Sequence, residues 1–195
     1  MRLVVGLGNP GPEYAPTRHN LGFRVVLALA RRRGIESWSP LCAALTARSG
    51  DLLLACPQTY MNRSGLAVRC LVERGGPELE GLLVVYDDLA LPLGRLRLRA
   101  AGGPGGHRGM ASILEQLRSD AIPRLRLGIG PAPAGEDLAA WVLAPFEGAE
   151  REAAAALVER AADACEAWLT EDLETVAARV NAPAAGETLD DGRTG

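Results

Sequence analysis

Gly81-Leu82-Leu83-Val84-Val85-Tyr86, closed by Asp87-Asp88, is the stretch on which the fold turns. Its unbroken apolar run describes a strand buried on both faces, as in a parallel sheet covered by helices. Working outward, residues 2–8 (Arg-Leu-Val-Val-Gly-Leu-Gly) read as a second buried strand, followed by a Pro/Gly-rich loop from Asn9 to Thr17. Leu21, Val25, Val26, Leu29 and Ala30 recur at helical spacing over residues 20–33, and Gly34 ends that helix. Residues 43–49 and 51–56 form a hairpin turning at Gly50-Asp51. A loop from Pro57 to Asn62 leads into a helix at about 63–74, closed by Gly75-Gly76. Beyond Asp88, residues 94–99 alternate Arg and Leu, the pattern of a half-exposed strand. A glycine-rich run, a helix at about 107–118, a strand at 124–130 and helices at about 148–169 and 171–180 follow. Strands alternating with helices imply a single α/β domain over residues 1–181: a mixed, largely parallel twisted sheet with helices on both faces. Residues 182–195 are small and polar and read as a disordered tail.

The 195 residues suffice for one well-buried core, and 48 % hydrophobic with 23 % charged residues is ordinary globular composition. No signal-peptide core and no run approaching the ~20 apolar residues of a membrane helix is present, so the expected compartment is the cytoplasm. Cys42, Cys56, Cys70 and Cys165 form no C-x-x-C pair, and there are only two histidines. The expectation is therefore separate reduced thiols, with no disulfide and no metal. Net charge is −3, yet residues 1–135 hold 17 arginines against 10 acids, and residues 136–195 hold 4 against 14. Residues 95–126 alone carry seven arginines and two acids. Such asymmetry fits either a polyanion-facing part or a solvated strand face.

Gly6-x-Gly8-x-x-Gly11 after a strand mimics a dinucleotide-binding turn, but Pro10 and Pro12 break the place where the phosphate-binding helix should start. About twenty residues on stands Arg31-Arg32-Arg33 where a ribose-binding acid is needed. The stronger signal is a set of polar residues at loop edges: Asn9 after the first strand, His19-Asn20 opening the first helix, Asn62 before the second helix, and Asp87 closing the central strand. Ligands of open α/β sheets gather beyond the carboxyl ends of strands. Ester hydrolysis at neutral pH needs a base largely unprotonated there, and an ordinary imidazole, titrating near pH ~6.5, qualifies. A carboxylate on the other ring nitrogen fixes its tautomer and stabilises the imidazolium, a role that suits Asp87. Side-chain amides such as Asn62 or Asn9 can donate to an oxyanion. With no G-x-S-x-G turn and no Cys near either His in sequence, attack by activated water is simpler than a covalent intermediate.

Six stretches now carry a resemblance. They are Val5-Gly6-Leu7-Gly8-Asn9-Pro10-Gly11-x-x-Tyr14, Thr17-Arg18-His19-Asn20-x-Gly22, Pro57-x-Thr59-Tyr60-Met61-Asn62-x-Ser64-Gly65, Asp87-Asp88-Leu89-x-Leu91-Pro92-x-Gly94, Gly105-Gly106-His107-x-Gly109 and Arg124-Leu125-Arg126-x-Gly128-Ile129-Gly130. In this order they resemble bacterial-type peptidyl-tRNA hydrolase over about residues 1–181. The resemblance implies a monomer without cofactor or metal, acting on a peptide esterified to the 3′ ribose of tRNA. His19 would deprotonate water and Asp87 orient it, while Asn9 and Asn62 would hold the substrate near the ester. Tyr14 would pack at the acceptor end and Met61 line the peptide groove. Arg99 and Arg126 would grip the 5′-phosphate. Two positions depart from the pattern. Arg108 stands where the family usually has Asn, and a donor-only guanidinium cannot copy an amide; it can instead bind phosphate or turn outward. Ala90 replaces the usual acid after Asp87. A non-catalytic RNA-binding relative is the second reading, which retention of His19, Asp87, Asn9 and Asn62 opposes.

Overall fold

The computed structural model describes residues 1–183, so the expected tail, apart from Ala182 and Pro183, lies outside the described residues. Four parallel strands form the centre: β1 (Arg2–Gly6), β4 (Leu52–Pro57), β5 (Leu82–Asp88) and β7 (Arg124–Gly128). Antiparallel pairing adds β2 (Ser39–Leu41), β3 (Ala44–Ser49) and β6 (Leu96–Arg99), giving the order β2-β3-β4-β1-β5-β7-β6. Every residue of β4 and β5 is buried, which is what their unbroken apolar runs require.

Strand alternation sorts the core into two halves. Val4, Leu54, Leu83, Val85, Leu125 and Leu127 face α1 (Leu21–Arg32), α5 (Glu150–Thr170) and α6 (Leu173–Asn181). Leu3, Val5, Leu53, Ala55, Leu82 and Val84 face α2 (Ser64–Glu73) and α3 (Arg108–Leu117). The helix after β1 thus lies on one face and the helix after β4 on the other, because the chain leaves β1 towards β4 and returns past it to β5. That reversal makes the carboxyl end of β1 a switch point, where loops part and leave a crevice. Asn181 closes the exposed edge of β6: its amide accepts from Leu98 N–H at 2.8 Å and donates to Leu98 C=O at 2.9 Å.

One close approach sets the position of α1. A Cβ on Gly22 would fall 2.3 Å from the Val85 carbonyl oxygen, so only glycine lets the helix touch the sheet there. His19, three residues earlier, is thereby held over the end of β5. Two short elements were not expected. β2 contains Pro40, and α4 (Leu138–Leu143) has six residues with none buried, so neither carries a readable period.

Three expectations are corrected. Cys42 and Cys70 form a disulfide with Cα atoms 5.5 Å apart, where four separate thiols were expected. The turn between β2 and β3, with Cys42 at φ 54°, packs against α2, a proximity that 28 residues of separation conceal in sequence. Cys56 and Cys165 are buried thiols, both pushed up to about 12 by desolvation and therefore inert. The strands expected at 2–8 and 94–99 are shorter, ending at Gly6 and starting at Leu96. Arg124, one of the arginines read as a basic strand face, is instead 2 % exposed and donates to the carbonyls of Ile122, Gly102, Gly103 and Asp120. It ties the glycine-rich loop to the sheet.

Candidate active site

Loops leaving β1, β4 and β5 converge on a cleft of about 790 Å³. Asn9, Tyr14, His19, Met61, Asn62, Asp87 and Arg108 all line it. Arg99 and Arg126 line a neighbouring cavity of about 420 Å³, which shares Tyr86, Asp88 and Gly105 with the cleft.

Asp87, 2 % exposed at the end of β5, receives two imidazoles. His19 Nδ1 lies 2.9 and 3.0 Å from its two oxygens, and His107 Nε2 lies 3.1 Å from Oδ1. Burial alone would raise the Asp87 carboxyl, but the charges and hydrogen bonds of the two rings outweigh it and hold the group well below the usual carboxylate range. The second ring settles the tautomers. His107 Nδ1 accepts the Met110 N–H at 3.2 Å, capping α3, so its proton sits on Nε2 and points at Asp87. With Asp87 ionised, His19 donates from Nδ1 and keeps an open lone pair on Nε2. The ligand atoms of His19, Asp87 and His107 lie within 4.8 Å of one another, a spacing a metal could use. In this tautomer both histidine nitrogens carry protons towards the carboxylate, and the trio reads as a hydrogen-bonded cluster.

Asn9 is buried and fixed on three sides. Its main chain exchanges two 2.9 Å bonds with the Asn20 amide, and its Oδ1 accepts the Met61 N–H at 2.8 Å. What remains for a ligand is the Nδ2 donor pair. Asn62 is exposed, with no side-chain bond among the described residues, and Met61 is buried beneath it. Tyr14 is half-buried at the rim. Arg126 pairs with Asp88, whose other oxygen accepts the Ala90 N–H at 2.8 Å. Arg99 is exposed. The opposite wall comes from α4, through Leu138, Ala139, Val142 and Leu143. Arg18, beside the base, fastens that wall: its guanidinium lies 3.7 Å from the Trp141 ring centroid and bonds Ala144 C=O at 3.2 Å, Pro145 C=O at 2.6 Å and Glu150 at 2.8 Å.

Sequence reasoning gave no role to His107, Asn20 or Arg124. His107 was visible as one of only two histidines, placed before a helix; Asn20 adjoins His19. Nothing local marks Arg124 as buried.

Fold and site together define a single α/β domain with a cleft where a buried carboxylate bonds a histidine. A family model described as peptidyl-tRNA hydrolase matches residues 3–188. A Synechococcus peptidyl-tRNA hydrolase is 47 % identical over 186 residues, covering 93 % of this chain and 83 % of that protein. One from Carboxydothermus hydrogenoformans is 49 % identical, covering 88 % and 93 %. The crystal structure of the Acinetobacter baumannii peptidyl-tRNA hydrolase superposes with TM-score 0.87 at 32 % identity, over 93 % of this chain and 95 % of that one. The chain belongs to the peptidyl-tRNA hydrolase family.

Proposed function

We propose that residues 1–181 form a catalytic domain that hydrolyses the ester between a peptide and the 3′ ribose of tRNA, using water activated by His19. The observation that carries this reading is the Asp87–His19 bond at the cleft, which leaves Nε2 as the open base. Water attacks the ester carbonyl as its proton passes to His19 Nε2, and the ionised Asp87 stabilises the imidazolium. The oxyanion lies near the amide donors of Asn9 and Asn62. Collapse expels the ribose 3′ oxygen, which takes the proton back from His19. The peptide leaves as a carboxylic acid.

Met61 and the α4 wall supply an apolar surface for the peptide, and Tyr14 a flat contact at the acceptor end. Arg99 and Arg126 border the place for the 5′-phosphate, a contact that positions the substrate without reading bases. Asp88 neutralises part of Arg126, so Arg99 is the freer cation of the pair. The reading includes no cofactor or metal, a monomer, and a cytoplasmic setting; no helix among the described residues is long and apolar enough to cross a membrane.

The test compares N-acetylated aminoacyl-tRNA with free aminoacyl-tRNA, for the wild type and His19→Ala. Cleavage of the blocked substrate alone, nearly abolished in the variant, is expected, since a site built for a neutral amide rejects an ammonium. Equal cleavage of both substrates, or a fully active variant, would refute the mechanism.

A further inference from the structure

Both carboxylates lining the cleft are already engaged: Asp87 with two imidazoles, Asp88 with Arg126 and the Ala90 amide. Arg108 is in the opposite situation. It is exposed, it lines the cleft, and among the described residues it makes no ion pair and no side-chain hydrogen bond. A guanidinium is charged throughout the physiological range and takes phosphate oxygens in its planar fork. Among the described residues Arg108 is therefore the one uncompensated charge in the cleft wall, and a ligand that fills the cleft has reason to bring an anion to it.

The layout says which anion. Tyr86, Asp88 and Gly105 line both the cleft and the arginine-lined cavity, so the two share a wall. Arg108 follows Gly105-Gly106-His107 at the start of α3, on the cleft side of that wall. A nucleic-acid end with its 5′-phosphate in the cavity and its 3′ ester beside His19 has to carry its last phosphodiesters across this wall. We infer that Arg108 binds a phosphodiester of the 3′-terminal nucleotides, so that this enzyme draws on the substrate's backbone charge inside the catalytic cleft itself. The inference rests on the hydrolase reading above. An amide at this position reads neutral groups as donor and acceptor; the guanidinium reads charge alone.

Three N-acetyl-alanyl esters test it: one on the 3′ oxygen of adenosine, one on the dinucleotide cytidylyl-adenosine, which adds a single phosphodiester, and one on whole tRNA. In the wild type the dinucleotide ester should show a KM about tenfold below that of the adenosine ester, the value of one charge-assisted hydrogen-bonded contact. Arg108→Gln should erase most of that advantage, and Arg108→Lys should restore part of it. For whole tRNA, Arg108→Gln should lower the slope of log kcat/KM against log salt by about one. A dinucleotide advantage that survives Arg108→Gln overturns the inference. So does a loss in Arg108→Gln that appears only when the blocked residue is changed from alanine to glutamate, since the anion would then belong to the peptide. Uncleavable 3′-amide analogues of the adenosine and dinucleotide compounds separate the two readings by calorimetry. A phosphodiester- and Arg108-dependent gain in binding, without cleavage of any ester, would sink the hydrolase reading and leave this one standing.

Discussion

Asp87→Asn should abolish activity through the proton on His19 rather than through lost packing. The side chain is isosteric and buried, so the two oxygen positions persist as one oxygen and one NH2. The Oδ1 position is shared, with His19 Nδ1 at 2.9 Å and His107 Nε2 at 3.1 Å, whereas Oδ2 faces His19 Nδ1 alone, at 3.0 Å. His107 cannot change tautomer without losing the acceptor for the Met110 N–H, so it remains a donor and claims the oxygen. The NH2 group then opposes His19 Nδ1–H, donor against donor, and the oxygen His19 also reaches at 2.9 Å is shared with the His107 donor. His19 relieves the conflict by moving its proton to Nε2, the nitrogen that receives one from water in the proposed mechanism. A wrong-tautomer base of this kind costs on the order of 10⁴-fold in kcat, or about 5 kcal/mol of transition-state stabilisation. Single-turnover cleavage of N-acetylated aminoacyl-tRNA measures the loss, and ¹⁵N shifts of the His19 ring report the tautomer. An Asp87→Asn rate within tenfold of wild type, or an unchanged His19 tautomer, would refute the reasoning.

Other substitutions separate neighbouring roles. His107→Ala removes a second donor to Asp87 but leaves the His19 bond, so kcat should fall only about tenfold; a loss equal to that of His19→Ala would make His107 the base. Asn20→Ala strands the buried Asn9 N–H and C=O, at about 1–3 kcal/mol for each unsatisfied group, and loosens the Asn9 amide. Urea unfolding should show the cost, and kcat/KM should fall at least tenfold. Because the folded Asp87 carboxyl titrates below its unfolded value of about 3.9, it stabilises the protein above that value. That contribution is lost as pH falls through the lower folded pKa. Urea midpoints of the wild type should therefore drop more steeply below about pH 4 than those of Asp87→Asn, and parallel curves would contradict the assignment. Under oxidising conditions Cys42→Ser should cost about 3–4 kcal/mol from the loop the disulfide closes. The difference should vanish in reductant, and a mass showing four free thiols in the oxidised wild type, where the bond leaves only Cys56 and Cys165 free, would remove it from the account.

Legibility in the sequence followed the range of the interaction. Leu82–Tyr86 is apolar at every position because both faces are covered, so the central strand and the layered architecture could be read from one line of residues. Asn9, His19, Asn62 and Asp87 could be singled out because each is a polar residue where an element begins or ends. What stayed hidden depends on partners far along the chain. Cys70 meets Cys42 only because α2 lies back over the sheet, and Arg124 is buried only because the Gly102–Gly103 carbonyls fold over it. An Arg-Leu-Arg strand looks the same whether its guanidinium meets water or a ring of carbonyls. Residues 138–143 left no trace because none is fully buried, and Leu138, Ala139, Val142 and Leu143 line a cleft.

The two imidazoles on one carboxylate resolve a conflict built into burying an acid near a base. Burial pushes a carboxylate towards its neutral form, and a protonated Asp87 could not stabilise an imidazolium. A second imidazole, its tautomer locked by the first turn of α3, supplies a donor that cannot withdraw. Asp87 thus keeps its charge in the dry end of the sheet, and the His19 lone pair stays open on the cleft side. On this argument the cap of α3 supports the proposed base: disturbing the Met110–His107 bond weakens one of the two imidazole contacts that favour the ionised Asp87, while the His19 bond remains.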